Sequence, residues 1–434
     1  MEKNKKDSIS RRDFLATGAM ATAAISGFPF VHTTHAQDTK PIKVGLVGCG
    51  GRGTGAAGDA LNADPNVRLV AMADPFQDRI DRSLKTLTDP KRRGGPLKGI
   101  EVTKDTCFSG MDGYKKVLEM DIDYVCLVSP PGFRPMQFED AINAGKHVFA
   151  EKPLATDPVG VRKIRKTAQK AKDKGLSVIV GLNNRHSVSN EEIVKRIHDG
   201  AIGKMLAGRG YRVHGGLWHR GDERPKWTEM EYQCRNWYYF CWLSGDQITE
   251  MAIHTMDYTN RIIGSTPISA LATGGRQVRT DLKYGNIFDH MTIDYEYPDD
   301  VHVMLMVRQW DNCDGASGSF FVGSEGALGR GGITGKNPWQ PKREARGTGM
   351  GATVYEHWKL IDSIRNEKAI NNALDFGADS TLTTIMGRES AYTGKKLTWD
   401  EMLNSDLDLF PKGEIKFGPA PQRPVAMPGS PRPL

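Results

Sequence analysis

Apolar positions along the 434-residue chain fall into two regimes. Up to about residue 180 they form short runs separated by amphipathic stretches. Extended segments are predicted at 44–47, 68–73, 124–128, 148–150 and 177–180, and helices from about residue 52 and over 76–87, 113–118, 134–144 and 158–174. A Lys-, Arg- and Gly-rich excursion fills 88–110. Short buried strands alternating with helices predict an open parallel sheet. A short helix, 190–198, leads to the second regime, where extended segments lengthen and alternate: 207–213, 269–278, 290–297, 302–308 and 318–322. That period of two predicts a large, mostly antiparallel open sheet with one covered face. One helix, 246–263, interrupts it and stops at Gly264. Residues 324–353 are glycine-rich and read as loops; helices over 356–365, 380–393 and 399–403 follow.

The most informative stretch is 41–74. An apolar strand runs into Gly48-Cys49-Gly50-Gly51-Arg52-Gly53, a small-residue helix follows, and a second strand ends at Asp74. This is G-x-G-x-x-G in a strand–helix–strand frame. Gly48 permits the tight turn, Gly50 lets the backbone approach a pyrophosphate, and Gly53 permits close helix–strand contact. The helix N-terminus offers unpaired N–H groups to the anion, and Asp74 is placed for a ribose 2′-hydroxyl. The fold class is therefore α/β: a Rossmann nucleotide-binding domain, 37–185, then an α+β domain, 186–410, carrying the antiparallel sheet. Asp74 repels a 2′-phosphate and favours NAD, while Arg79 leaves NADP as the lesser alternative. Asp74, Ser129-Pro130 and Glu151-Lys152-Pro153 all fall at carboxyl ends of predicted strands, where such sheets bind ligands.

The first 36 residues read separately. Lys3, Lys5 and Lys6 precede Ser10-Arg11-Arg12-Asp13-Phe14-Leu15, a weakly apolar stretch, and Thr34-His35-Ala36 as a cleavage site. Paired arginines followed by Phe and Leu resemble a twin-arginine export signal. The expectation is a periplasmic protein exported folded by the twin-arginine machinery, with its cofactor tightly bound and carried across, and no stable membrane insertion after cleavage. The formal charge of +7 includes a leader with five basic and three acidic residues. No basic block is interleaved with aromatics, so nucleic acid is not an expected partner. The six cysteines lack metal-ligand spacing; a Cys234–Cys241 bridge is conceivable after export. Residues 411–434 form a proline-rich tail without a core of its own, free to wrap a neighbouring subunit.

The motifs together resemble the family of glucose–fructose oxidoreductase, inositol dehydrogenase and rhizopine-catabolism proteins (Gfo/Idh/MocA). The likeness rests on the glycine loop with Asp74, Ala144-Gly145-Lys146-His147-Val148 leading to Glu151-Lys152-Pro153, Gly203, and the run from Gly245 to Asp257. The resemblance implies a nicotinamide cofactor, a carbohydrate or polyol substrate, and homodimers or homotetramers packed through the open sheet. It assigns Lys152 to the substrate hydroxyl, Pro153 to the turn under the nicotinamide, and His254 to catalysis. Two positions depart from the family. Glu250 stands where Asp is usual, and Arg134 where a histidine is frequent, suggesting a different contact to the cofactor or an anionic group.

Hydride removal from a secondary alcohol requires loss of its hydroxyl proton. His254 is the candidate base and Lys152 the group that polarises the oxygen; Glu250, at i and i+4 with His254, orients it or binds an adjacent hydroxyl. Asp257 is one turn further on, with a helix-surface role the alternative. Aromatic residues interleaved with polar ones between 216 and 242 suggest a saccharide subsite, with Trp218, His219, Arg235 and Asn236 as favoured contacts. Asn184 and His186 border it. The expected function is an NAD(P)-dependent oxidoreductase acting on a sugar, glycoside or polyol. The alternatives are an NAD-dependent glycoside hydrolase or lyase working by transient C3 oxidation and elimination, and a catalytically degenerate saccharide-binding protein. No metal site is expected.

Overall fold

The computed structural model describes residues 40–92, 95–221, 226–341 and 349–430. The expected export leader and its cleavage site lie outside the described residues.

The first sheet contains β1 (Ile42–Val47), β2 (Val67–Asp74), β3 (Cys107–Ser109), β4 (Tyr124–Leu127), β5 (His147–Ala150) and β6 (Val178–Val180). Their order is β3-β2-β1-β4-β5-β6, with every pairing parallel. Helices cover both faces, so the strands need uninterrupted apolar sequence; β4 is buried at every position. The strand order reverses between β1 and β4, and that reversal opens a crevice at their carboxyl ends.

The second sheet comprises β7 (Met205–His214), β8 (Ser269–Gly275), β9 (His290–Tyr297), β10 (Val301–Gln309), β11 (Ala316–Gly323), β12 (Gly326–Gly329), β13 (Gly332–Gly335) and β14 (Leu397–Thr398). It runs β13-β12-β11-β7-β10-β9-β8-β14. Only the β7–β10 pairing among them is parallel. Buried and open positions alternate strictly along both β9 and β10. Helices Ile253–Ile263 and Ala378–Thr393 cover one face. The other leaves Leu206, Leu271, Met304, Met306 and Val322 exposed.

Six local readings change. The helix expected over 246–263 is two helices, Asp246–Met251 and Ile253–Ile263, broken at Ala252. The glycine-rich stretch carries the β12–β13 hairpin, and the excursion after residue 88 returns β3 to the sheet edge. Both were missed because glycines and surrounding charges break up the apolar runs by which the other short strands were read. Helix Ala352–Arg365 starts four residues early and buries Leu360 and Ile361 with Val44, Ala56 and Phe149, so a late segment completes the first sheet's core. The tail lies along its own chain: Gly418 accepts from Met230 N, Pro421 from Gln233 Nε2, and Ala426 is buried. All six cysteines are free thiols, so Cys234 and Cys241 are not bridged.

Candidate active site

Gly48 turns the chain after β1 with φ 94°. A Cβ there would stand 2.6 Å from the Ser129 nitrogen, and a Cβ at Gly53 would fall on the Gly48 carbonyl oxygen. At Gly50 and Gly51 it would meet nothing within 4 Å. Gly48 and Gly53 are thus demanded by packing, whereas Gly50 and Gly51 keep open space before the N-terminus of helix Gly51–Ala63. No side chain caps that helix, so its first N–H groups are available to an anion. A cavity of about 430 Å³ runs from this loop past Asp74 and Arg79 to Ser129 and Pro130. Its far wall comes from the second half of the chain: Trp218, Arg220, Arg235 and Trp237.

Asp74 lines this cavity while bracing the loop. Its carboxylate accepts from Cys49 N at 2.8 Å and Phe76 N at 2.9 Å. Burial pushes its pKa up to about 6, against those two N–H groups. Each oxygen keeps a second lone pair, so a ribose hydroxyl can still donate to it.

Other expected cofactor contacts are engaged elsewhere. The Cys49 thiol turns into the core toward the Ala73 carbonyl, at 3.4 Å, because the loop presents only backbone at that position. Arg134 is buried and donates to the Ser129 and Pro153 carbonyls, the latter at 2.8 Å. It ties two strand-end turns together instead of meeting cofactor or anion; burial lowers its pKa to about 10, opposed by Glu151 and Glu250. Glu151 accepts from Arg52 Nε at 2.5 Å and from Lys152 N at 3.1 Å. Arg52 reaches out of the glycine loop to gather Glu151, Asp59 (3.2 Å) and Glu356 (3.5 Å).

The β4–β5 register pairs Leu127 with Ala150, so Ser129 and Lys152 stand side by side two residues beyond. Lys152 Nζ donates to Glu250 Oε1 at 2.6 Å and to the Glu250 carbonyl at 2.7 Å. In a continuous helix that carbonyl accepts from residue 254; here Lys152 holds it at the break. Glu250 Oε2 and His254 Nδ1 are buried without a hydrogen-bond partner. Burial raises the Glu250 pKa, with Lys152 opposing. Burial, then Lys152, Arg212 and Arg52, lower that of His254 to about 3, so its imidazole is neutral. Two buried polar atoms next to the Lys152–Glu250 pair thus keep unused hydrogen-bonding capacity that a ligand hydroxyl can fill.

The expected saccharide subsite is largely framework. Asn236 is buried and accepts from Arg220 N at 2.8 Å, and His219 meets the Tyr232 hydroxyl at 3.2 Å and accepts from Gly221 N. Asp257 is buried under Arg185, at 2.8 Å, and Ser380. These short polar side chains are consumed by turns and buried ion pairs that sequence spacing does not show. Trp218 and Arg235 line the nucleotide cavity. Asn184 lies in the turn Asn183–His186, and His186 is buried edge-on to Tyr355 at 6.2 Å. Sequence reasoning missed Glu356, fully buried beside Arg52 in the interior of a helix, where no motif marks it.

Known proteins share parts of this sequence and its fold. Residues 42–182 match the Gfo/Idh/MocA oxidoreductase family, described by its NAD-binding Rossmann fold. Residues 42–182 therefore form an NAD-binding domain. The dTDP-3,4-didehydro-2,6-dideoxy-alpha-D-glucose 3-reductase of Actinomadura kijaniata is 28% identical over 169 residues, covering 39% of this chain and 44% of that one. A glycosyl hydrolase family 109 protein of Saccharopolyspora erythraea is 25% identical over 232 residues, 49% of this chain and 48% of its own. The chain thus spans about half the length of these curated relatives. Scyllo-inositol dehydrogenase from Lactobacillus casei, solved with NAD(H) and scyllo-inositol, superposes with TM-score 0.62 over 83% of this chain and all of its own, at 20% identity. That likeness is one of fold.

Proposed function

We propose that the protein is an NAD-dependent oxidoreductase acting on a secondary hydroxyl of a sugar, glycoside or polyol. The observation that carries this is the Lys152–Glu250 pair with the unpartnered Glu250 Oε2 and His254 Nδ1, with Lys152 just past the end of β5, the strand paired with β4, whose following residues Ser129 and Pro130 line the cavity. The open loop at Gly50 and Gly51 would hold the pyrophosphate and Asp74 a ribose. NAD bound there supplies the hydride acceptor.

Lys152 donates to the reacting oxygen and stabilises its developing negative charge. Glu250 Oε2 accepts from a neighbouring hydroxyl and orients the ring. Neutral His254 takes the hydroxyl proton. Negative charge growing on that oxygen raises the ring's proton affinity, reversing the effect of Lys152.

Similarity to family 109 glycosyl hydrolases supports a second reading, glycoside cleavage through transient oxidation at C3, elimination of the aglycone, addition of water and re-reduction. Purified protein without added nucleotide, given a panel of polyols and glycosides, separates the two. A rise at 340 nm that stops after one turnover is expected of the oxidoreductase; continuous aglycone release without a lasting rise supports cleavage. Tight sugar binding with neither signal would leave only a saccharide-binding protein.

The paired arginines of the leader support folded export to the periplasm with the nucleotide aboard. Arg11→Lys with Arg12→Lys is expected to hold the protein in the cytoplasm, seen by fractionation. Among the described residues no helix is long and apolar enough to cross a membrane. The exposed apolar side chains of the second sheet support self-association through that face, to be read as mass by light scattering.

A further inference from the structure

The wall of the nucleotide cavity opposite the glycine loop is built by the second half of the chain. The segment carrying Trp218 and Arg220 is pinned from behind. The Tyr239 hydroxyl shares its one proton between the Leu217 and Trp218 carbonyls, each at 2.9 Å, and Asn236 accepts from Arg220 N. Arg220 lies over the Trp218 ring, 4.4 Å from its centroid.

Arg235, at the end of helix Glu229–Arg235, crosses to the first half. It pairs with Asp78 at 2.9 Å and lies 3.9 Å from the centroid of Phe76 and 4.9 Å from that of Trp227. Phe417 of the tail stacks on the other contact, Phe76, with ring centroids 5.7 Å apart and planes 24° from parallel. Phe76, Asp78 and Arg79 directly follow β2, the side of the sheet on which the adenosine half of a dinucleotide lies.

We infer that these residues enclose the adenosine half of the cofactor and that the Arg235–Asp78 pair, with Phe417 on Phe76, is the brace that retains it. This rests on the NAD reading above. A guanidinium held between two aromatic faces and a carboxylate loses little freedom on forming its contacts. The brace joins sequence-distant segments through Phe76 and Arg235, which both line the cavity, so loosening it is expected to ease nucleotide exit.

The test is the rate at which bound NAD leaves. Protein loaded with NAD is passed into nucleotide-free buffer, and residual nucleotide is assayed after acid extraction at timed intervals. Arg235→Asp and Asp78→Arg are each expected to speed release at least tenfold, and the double exchange to restore slow release. Phe417→Ala, a change at a partly exposed ring, is expected to speed release severalfold without lowering the melting temperature of the nucleotide-free protein. Unaltered release in the charge variants and in Phe417→Ala, with NAD still bound stoichiometrically, would overturn the brace. So would faster release that the double exchange fails to restore. A wild-type chain that binds no NAD at all would sink the NAD reading itself, and this inference with it.

Discussion

Lys152 Nζ sits 2.6 Å from Glu250 Oε1 and 2.7 Å from the Glu250 carbonyl, so one ammonium holds both a side chain and the helix break before His254. The pair is largely withdrawn from solvent, with both side chains 13% exposed. Lys152→Met removes the partner of a buried carboxylate, which costs about 3–5 kcal/mol. Adding Glu250→Gln is expected to recover most of that in urea unfolding. Turnover should stay at least ~100-fold down in both, because the donor to the reacting oxygen is gone.

His254 tests the chemistry apart from the fold. His254→Gln keeps a polar group of similar size, so melting is expected to shift little. Substrate-dependent NAD reduction should fall by about 10²–10⁴-fold, with NAD affinity unchanged by calorimetry.

Gly50 and Gly53 separate packing from binding. Gly53→Ala sets a methyl on the Gly48 carbonyl and is expected to damage the loop, lowering both melting temperature and NAD affinity. Gly50→Ala meets no atom within 4 Å. It should melt near wild type while weakening NAD by about tenfold, roughly 1.4 kcal/mol, since the methyl occupies space a pyrophosphate would take. Equal NAD affinity in Gly50→Ala and wild type would contradict the loop's assigned role.

His357 sets an acid limit on stability. It is fully buried, stacks on Phe149 at 4.1 Å, and burial with nearby Arg52 lowers its pKa to about 3. The unfolded chain takes up this proton near pH 6.5 and the folded chain does not, so stability is lost as pH falls from 6.5 toward 3. Between pH 7 and pH 5 the loss is about 2 kcal/mol from this residue. His357→Phe is expected to shrink the pH 7 to pH 5 drop in unfolding free energy by about that amount, measured by urea titration at both values.

The alternation of apolar runs and helices, the glycine spacing and Asp74 were enough to read the parallel sheet, its crevice and the loop that faces it. These are local properties: burial on both faces demands continuous apolar strands, and a loop pressed against Ser129 leaves Gly48 no room for a side chain. The alternating segments after residue 206 likewise announced a half-covered sheet. What the side chains touch was decided by tertiary structure. Asn236, His219 and Asp257 have the chemistry of sugar contacts, yet each is spent on a neighbour that only the folded chain supplies. Arg134 reads as an anion contact but spans two carbonyls whose adjacency follows from the β4–β5 register. At the break near Ala252, the Glu250 carbonyl accepts from Lys152, 98 residues away from Glu250 in sequence. Glu356 enters the Arg52 cluster only because helix Ala352–Arg365 folds back onto the first sheet. Backbone conformation and burial periodicity are written residue by residue, whereas the partner of a polar side chain is whichever group the fold brings within 3 Å.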